Sequence, residues 1–259
     1  MQVRSLGFRT DLMLRRLAGG EVVDRGDHQV VRTPDNPTFY WGNFLLIEPP
    51  DAQSERWLDV FATEFPDAQH VAIGVDGTDG DTGDVSGLTA AGLELEVSVV
   101  LTAERLEPPA REAAAEVRPL VSDADWEQMV AVRLEIDDDA SPGHREFVEL
   151  KAIEARRLME QGRGEFFGAF VDGVARATLG IVTDGSGLAR YQAVETHPDH
   201  RRKGLASAML VAAAEAALTR LAATVLVIVA DPDYVAIDLY RALGFNDNER
   251  QVQLQRKPK

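Results

Sequence analysis

The segment from residue 188 to residue 206 constrains the fold more than any other part of the chain. The run Leu188–Thr196 is typical of a strand, and it leads through His197-Pro198-Asp199-His200 into Arg201-Arg202-Lys203-Gly204-Leu205-Ala206 and an alanine-rich helix. The first N–H groups of a helix lack intrahelical acceptors, and the helix dipole makes that end positive. Because cations and a glycine lie at this helix start, the segment predicts a phosphate-binding loop.

A second strand and helix follow directly. Thr224–Ala230 is apolar and rich in β-branched residues, which predicts a strand, and Asp231-Pro232-Asp233 offers a helix cap and a first-turn proline. The predicted helix ends at Leu239-Tyr240-Arg241-Ala242-Leu243, followed by Gly244-Phe245. The region thus has the order strand, phosphate loop, helix, strand, helix.

These motifs resemble those of the GNAT superfamily of N-acetyltransferases. Residues 201–206 resemble the family's pyrophosphate loop, Arg-x-x-Gly-x-Ala. The second helix resembles the family pattern Asn-x-x-Ala-x-x-Leu-Tyr, with Gly-Phe shortly after, although Asp233 stands in place of the asparagine. The matching positions are Ala236, Leu239, Tyr240, Gly244 and Phe245. The resemblance implies an α+β (mixed α/β) GNAT acyl-CoA N-acyltransferase fold over residues 116–259.

The resemblance also implies acetyl-CoA as co-substrate. The backbone of residues 202–207 is expected to bind its pyrophosphate, and the pantetheine arm is expected to lie beside Val194–Thr196, with a backbone N–H near Ala193–Val194 polarising the thioester. The residues expected to contact acetyl-CoA are Val194, Thr196, Arg201, Arg202, Lys203, Gly204, Leu205, Ala206, Ser207 and Asp233.

Two side chains are candidates for moving protons. Tyr240 matches the family tyrosine that protonates the coenzyme A thiolate; the alternative is a core tyrosine under the last helical turn. Glu195, the only acid on its strand, is the candidate base, unless it points away from the thioester. The position of the strand glutamate found in some family members is Arg190 here. The chain has no cysteine, so direct attack in a ternary complex is expected.

The acceptor is expected to be a primary amine on a small molecule or peptide. In such folds the acceptor pocket lies between the first two helices and the final strands. Acidic residues in that helix-loop-helix favour a cationic amine, although an acidic protein can carry an acidic loop without function. They are Glu135, Asp137, Asp138 and Asp139.

The net charge of the chain limits the kinds of partner that it can bind. A formal net charge of −16 repels a phosphate backbone, so no nucleic-acid partner is expected. No apolar run approaches membrane-spanning length and no secretory leader is evident, which favours a cytoplasmic protein with no membrane partner. The absence of cysteine and of H-E-x-x-H predicts no metal site. A homodimer is left open.

Paired prolines divide the chain. Residues 108–115 read as a linker between residues 1–107 and 116–259. The first part parallels the later half of the second, but Glu48-Pro49-Pro50-Asp51 stands where the phosphate loop would be. Prolines lack N–H donors and acids repel phosphate, which predicts a degenerate GNAT-like domain that has lost acetyl-CoA binding. The alternative is an unrelated small α+β domain.

Three functions are compatible with the sequence. The first is an acetyl-CoA-dependent N-acetyltransferase. The second is a non-catalytic acyl-CoA-binding or regulatory module, because the strand glutamate is missing. The third is a GNAT-like enzyme that uses another acyl or aminoacyl donor.

Overall fold

A computed structural model describes residues 1–109, 111–137 and 143–258. By their contacts these residues form two compact units. Unit 1 comprises residues 1–101, 229–234 and the described residues from 247 onward, and unit 2 takes in the described residues of 102–228 and 235–246. No helix in these ranges is both long enough and apolar enough to cross a membrane.

Unit 1 is built on a mixed sheet flanked by helices. Its helices are α1 (Leu6–Leu17), α2 (Arg56–Glu64) and α3 (Ser86–Ala90). Its strands are β1 (Glu21–Asp24), β2 (His28–Arg32), β3 (Phe44–Ile47), β4 (Val71–Val75), β5 (Glu94–Ala103) and the last strand of the chain, β11 (Asn246–Arg256). They lie in the order β1-β2-β3-β4-β11-β5. Strands β3 and β4 are parallel, and β11 is antiparallel to β4.

The short strand β3 is buried on both faces. Leu45 and Ile47 belong to one apolar cluster, with Trp57 and Phe61 of α2. The alternate residues of β3 belong to a second cluster, with Phe8 of α1. Successive side chains of a strand point to opposite faces, so a strand covered by helices on both faces is apolar throughout.

The strand β11 lies inside the sheet of unit 1. Its residues 252–256 pair with residues 71–75 of β4, from Val252 opposite Val75 to Arg256 opposite Val71. The division of the sequence at the proline pair assigns this strand to residues 116–259. Local composition cannot indicate which sheet a terminal strand joins, so the proline pair could not predict the position of β11.

Unit 2 carries the predicted phosphate loop. Its strands are β6 (Glu116–Pro119), β7 (Gly164–Val171), β8 (Val174–Val182), β9 (Leu188–Thr196) and β10 (Val225–Ala230), whose last two residues count with unit 1. Its helices are α4 (Asp123–Asp137), α5 (His144–Glu160), α6 (Leu205–Thr219) and α7 (Ala236–Ala242). Strands β6 to β9 form an antiparallel meander, and β10 is parallel to β9.

Three local predictions differ from the structure. By its aromatic and aliphatic residues the sequence of residues 38–47 predicts one strand, but Tyr40–Gly42 form a 3₁₀ turn and the strand begins at Phe44. Asp231 is predicted to cap the last helix, but it accepts a hydrogen bond from the Asp233 N–H in a turn, and α7 starts only at Ala236. The sequence before residue 29 predicts no helix or strand, but α1 lies there.

Candidate functional site

The helix start at residues 201–207 lies directly after β9. Arg201, Arg202 and Lys203 are exposed, and Leu205 is the first residue of α6. The first intrahelical hydrogen bond runs from the Ala208 N–H to the Gly204 carbonyl at 3.1 Å. The N–H groups of residues 205–207 therefore precede the intrahelical acceptors of the helix, beside three cations. This arrangement favours an anion such as a pyrophosphate.

Two residues of this loop have left-handed backbones. Gly204, at the N-cap of α6, has φ of 80°, and Arg202 has φ of 61°. Glycine adopts this conformation at little cost, whereas other residues are strained there. A Cβ atom at Gly204 would lie 3.5 Å from the Arg111 carbonyl oxygen, and the Arg111 guanidinium donates to the Arg202 carbonyl at 3.5 Å. Arg111, a linker residue, thus adds a fourth cation beside the loop.

A bulge interrupts β9 just before Glu195. Gln192 lies opposite Gly180 of β8, and Glu195 lies opposite Thr178, so β9 has one extra residue between these pairs. Ala193 takes up this extra length with φ of 46°. A bulge leaves a residue outside the regular ladder and reverses the faces to which later side chains point.

The effect of the bulge is visible in the side chains of β9. The Tyr191 hydroxyl donates to the Leu210 carbonyl of α6 at 2.8 Å. Glu195, four residues later, would share that face in a regular strand. Its carboxylate instead contacts the guanidinium of Arg133 on α4. The bulge therefore turns Glu195 toward α4.

The environment of Glu195 changes its proton affinity. Burial raises the pKa of its carboxyl to about 7, against the opposing effect of the Arg133 charge. A carboxylate that titrates near neutral pH is suited to general base catalysis. Thr196, the next residue, accepts a hydrogen bond from Arg201 Nε at 3.2 Å, which ties the end of β9 to the loop.

The opening of the sheet beside β9 is a second feature of this region. The parallel pairing of β9 with β10 covers Leu188 to Arg190, which face Val225 to Val227. The rest of β9, from Tyr191 to Thr196, extends beyond this pairing. Val194, one of the residues predicted to line the pantetheine arm, lies in this stretch and is partly exposed.

Tyr240 lies on α7 and is 5% exposed. Its ring meets that of Phe245 edge-on at 6.2 Å, and Phe245 meets Tyr191 of β9 at 5.8 Å. The aromatic contacts therefore connect Tyr240 to β9. Burial raises the pKa of Tyr191 well above its usual range, which makes Tyr191 a poor proton donor.

A cleft of about 540 Å³ lies between α4 and α5. Three apolar residues, three glutamates and one arginine line it. The lining residues are Glu127, Val130, Ala131, Leu134, Glu135, Arg145 and Glu149. Glu135 Oε2 lies 3.5 Å from His197 Nε2, so this cleft borders the end of β9. Of the predicted acidic loop, residues 138 and 139 lie outside the described residues.

Other residues of interest are less closely tied to this region. Asp233 is exposed and is grouped with unit 1, so its predicted contact with acetyl-CoA stays a prediction. Arg190, at the family's glutamate position, is buried. Sequence reasoning missed Arg133 and Arg111, because an arginine in a helix or linker carries no signal of its partner on a distant strand or loop.

Comparisons with known proteins agree with this geometry. Residues 126–245 match the sequence model of the Acetyltransferase (GNAT) family. Among curated proteins, no sequence matches the chain. Among solved structures, a GCN5-related N-acetyltransferase from Kribbella flavida is similar with a TM-score of 0.65 and 19% identity, over 98% of this chain and 96% of that one.

Two further structures cover nearly all of the chain. A conserved protein of unknown function from Staphylococcus epidermidis has a TM-score of 0.68 at 13% identity, covering 93% of this chain and 95% of its own. A tandem GNAT protein from the clavulanic acid biosynthesis pathway has a TM-score of 0.54 at 14% identity, covering 95% and 88%.

Residues 126–245 are therefore a GNAT acetyltransferase-family domain, as the motifs predict. The GNAT-like fold extends over nearly the whole chain, which confirms the predicted tandem fold class. At these identities the solved structures show the fold alone, and the family supports acyltransfer in general.

Proposed function

We propose that this protein is an acetyl-CoA-dependent N-acetyltransferase that acts on a primary amine by direct attack in a ternary complex. The observation that carries the proposal is the joining of a basic, N–H-rich helix start to a bulged strand that bears Glu195. Acetyl-CoA supplies the activated acetyl thioester when it is bound.

The loop at residues 201–207 holds the pyrophosphate in this proposal. The N–H groups at the start of α6 donate to it, and Arg201, Arg202 and Lys203 supply the charge. Gly204 carries no side chain at the helix start, and glycine adopts its left-handed backbone at little cost. These residues suit a pyrophosphate by their N–H donors and by their charge.

The bulge in β9 lies where the thioester end of acetyl-CoA binds in this proposal. Residues Ala193–Val194 lie outside the regular ladder with β8, and this part of β9 extends beyond its pairing with β10. A backbone N–H here can donate to the thioester oxygen, and preorganised donors of this kind are worth about 3 kcal/mol. Val194 and Thr196 line the pantetheine arm.

Glu195 and Tyr240 move the protons. An alkylammonium group has a pKa of about 10, so the acceptor must lose a proton before it attacks. Glu195, with its pKa raised to about 7 by burial, accepts that proton. Tyr240 returns a proton to the leaving sulfur. The chain has no cysteine to form an acetyl-enzyme.

The cleft between α4 and α5 binds the acceptor amine. Glu127, Glu135 and Glu149 outnumber Arg145, and the apolar side chains of the lining suit an alkyl stem. An acidic lining favours a cation over a neutral amine through local potential.

Turnover of acetyl-CoA with a panel of aliphatic and peptide amines, followed by thiol release, tests the proposal. We expect thiol release that depends on the amine and is inhibited by free coenzyme A. Tight acetyl-CoA binding without thiol release would favour the non-catalytic module instead. Release with another acyl-CoA but not with acetyl-CoA would favour a different donor.

A further inference from the structure

Arg133 connects two carboxylates inside unit 2. Its guanidinium contacts Glu195 of β9 through Nη1, and Nε lies 3.2 Å from Asp137 Oδ2. Asp137 is four residues further along α4, so it shares a face of that helix with Arg133. His144 Nε2 of α5 lies 3.3 Å from the same oxygen of Asp137. The contacts form a chain from α5 through α4 to β9.

The geometry restrains the guanidinium at two of its nitrogens. A guanidinium is planar and keeps its charge at all relevant pH values, so contacts at Nε and Nη1 fix both its position and its plane. The side chains of Arg133 and Glu195 are 25% and 15% exposed. Charges withdrawn from water in this way interact more strongly than charges on an open surface.

We propose that Arg133 is a positioning residue for Glu195: held by Asp137, it orients the Glu195 carboxylate and favours its ionised form, so that the carboxylate can take a proton from the acceptor nitrogen. The proton moves from the ammonium nitrogen to a carboxylate oxygen, and Arg133 stays protonated throughout. The catalytic consequence rests on the proposed acetyltransferase function. The electrostatic coupling of Arg133 to Glu195 does not.

The direction of the coupling follows from the groups around Glu195. Burial raises the pKa of Glu195, Arg133 lowers it, and the negative charge of Asp137 raises it. His144 of α5 contacts the Asp137 carboxylate. On β8 the residue opposite Glu195 is the uncharged Thr178. Glu135 of α4 pairs with His197, which follows β9. Burial and the charges of Lys203 and of Arg176 on β8 lower the pKa of His200.

The test is a carboxyl ¹³C NMR titration of the full chain, with Glu195→Gln used to assign the Glu195 signal. Arg133→Met keeps an apolar stem of similar length and removes the charge. We expect the Glu195 midpoint to rise by about one unit or more, because burial and Asp137 then act unopposed. Arg133→Lys restores a cation and should return the midpoint most of the way toward the native value.

Arg156→Met is the matched control. Arg156 also pairs with two carboxylates, Asp123 at 2.6 Å and Glu160 at 3.1 Å, but it does not contact Glu195. We expect an unchanged Glu195 midpoint in this variant. If Arg133→Met does not fold, Arg133→Gln provides the same comparison with a polar side chain.

The pH dependence of turnover adds a second readout. In Arg133→Met the acid limb should move upward with the NMR midpoint, while the affinity for acetyl-CoA stays within about twofold. An unchanged midpoint in both Arg133→Met and Arg133→Gln would overturn the proposal. A shifted midpoint in a protein that never releases thiol would support the coupling and reject the proposed function.

Discussion

The ring of Tyr240 meets the ring of Phe245 edge-on, with centroids 6.2 Å apart. Phe245 makes the same kind of contact with Tyr191 of β9. The Phe245 ring thus contacts both tyrosine rings, but the two tyrosine hydroxyl groups differ in their surroundings. The Tyr191 hydroxyl donates to the Leu210 carbonyl, whereas the sequence resemblance assigns the Tyr240 hydroxyl to proton transfer. The pair allows one tyrosine to serve as a control for the other.

Tyr240→Phe should lower turnover by about a hundredfold or more, because it removes the proton donor and keeps the ring. Acetyl-CoA affinity, measured by calorimetry, should stay nearly unchanged. Tyr191→Phe should keep turnover and lower the free energy of unfolding by about 1 kcal/mol, the typical contribution of one hydrogen bond. Full turnover in Tyr240→Phe, with chemistry limiting the rate, would leave Tyr240 with a packing role only.

The pKa of Glu195 predicts a pH profile. Because burial raises this pKa to about 7, the carboxyl is mostly protonated at pH 6 and cannot accept a proton. Turnover should therefore rise through neutral pH and level off above it. Glu195→Gln should lose about a hundredfold at pH 8 and should lack this acid limb. A limb that persists near pH 7 in the glutamine variant would assign the titration to another group.

The loop assignment is tested by paired glycine substitutions. Gly204 and Gly173 both have left-handed backbones, with φ of 80° and 79°, and a Cβ atom at Gly173 would meet open space. Gly204→Glu should weaken acetyl-CoA binding strongly, because it adds negative charge at the helix start. Gly173→Glu, in the β7–β8 turn, should leave affinity unchanged at a similar backbone strain of about 1 kcal/mol.

The alanine variants at the same two sites separate strain from charge. Gly204→Ala and Gly173→Ala should destabilise the fold to a similar extent, as measured by denaturant unfolding. Unaltered affinity for acetyl-CoA in Gly204→Glu would show that residues 201–206 do not bind the pyrophosphate.

Local sequence patterns were sufficient to predict most elements of unit 2. The sequence predicts a hairpin of residues 165–171 and 174–182 across the tight-turn pair Asp172-Gly173, and the bounds of β7 and β8 lie within one residue of this prediction. The start of α6 follows likewise from its cations and Gly204. The family domain at residues 126–245 confirms the resemblance of these motifs to the GNAT family.

Features that depend on distant residues could not be predicted. Alanine at position 193 gives no sequence signal for a bulge. The direction of the Glu195 side chain toward α4 therefore depends on the register of β9 with β8 and cannot be predicted from the sequence. Its partner Arg133 lies 62 residues away. In unit 1, the aromatic run at residues 39–41 has a high strand propensity, but tertiary packing places Trp41 in a 3₁₀ turn, where its indole N–H donates to Gln255.

The acid stability of unit 2 should depend on Asp125. This residue is 4% exposed and accepts two hydrogen bonds from Arg118, at 3.0 and 2.8 Å, and others from the N–H groups of Val121 and Ser122. The Arg118 guanidinium, with these N–H donors, holds the pKa of the Asp125 carboxyl well below its usual range. The stabilisation is complete above the unfolded-state pKa of about 4 and is lost as pH falls toward the folded-state value.

Asp125→Asn should therefore lower the free energy of unfolding by about 2 kcal/mol at pH 7, and the difference from the native chain should narrow below about pH 4. Urea titrations at several pH values measure this. Asp123→Asn, at an exposed ion pair on the same helix, should change stability little at any pH. A difference at Asp125 that is constant down to pH 2 would assign its effect to packing.

The parallel strands of unit 1 differ from those beside the predicted phosphate loop of unit 2. Strand β3 pairs with β4 up to its last residue, Ile47, which faces Val75. The pairing then continues, because the Asp76 N–H donates to the Ile47 carbonyl at 2.8 Å. The strand is followed by Pro49 and Pro50, which have no N–H groups to donate to an anion.

We therefore expect calorimetric titration of the full chain to give one acetyl-CoA per chain. Strand β3 is paired with β4 up to its last residue, so this strand leaves no free stretch for a pantetheine arm, whereas β9 extends six residues beyond its pairing with β10. Gly204→Glu should remove the single binding event, and a charge change in the other turn, Asp51→Asn, should leave it intact. A stoichiometry of two would contradict the loss of binding in unit 1, and a single site that survives Gly204→Glu would contradict the assignment of the pyrophosphate to residues 201–206.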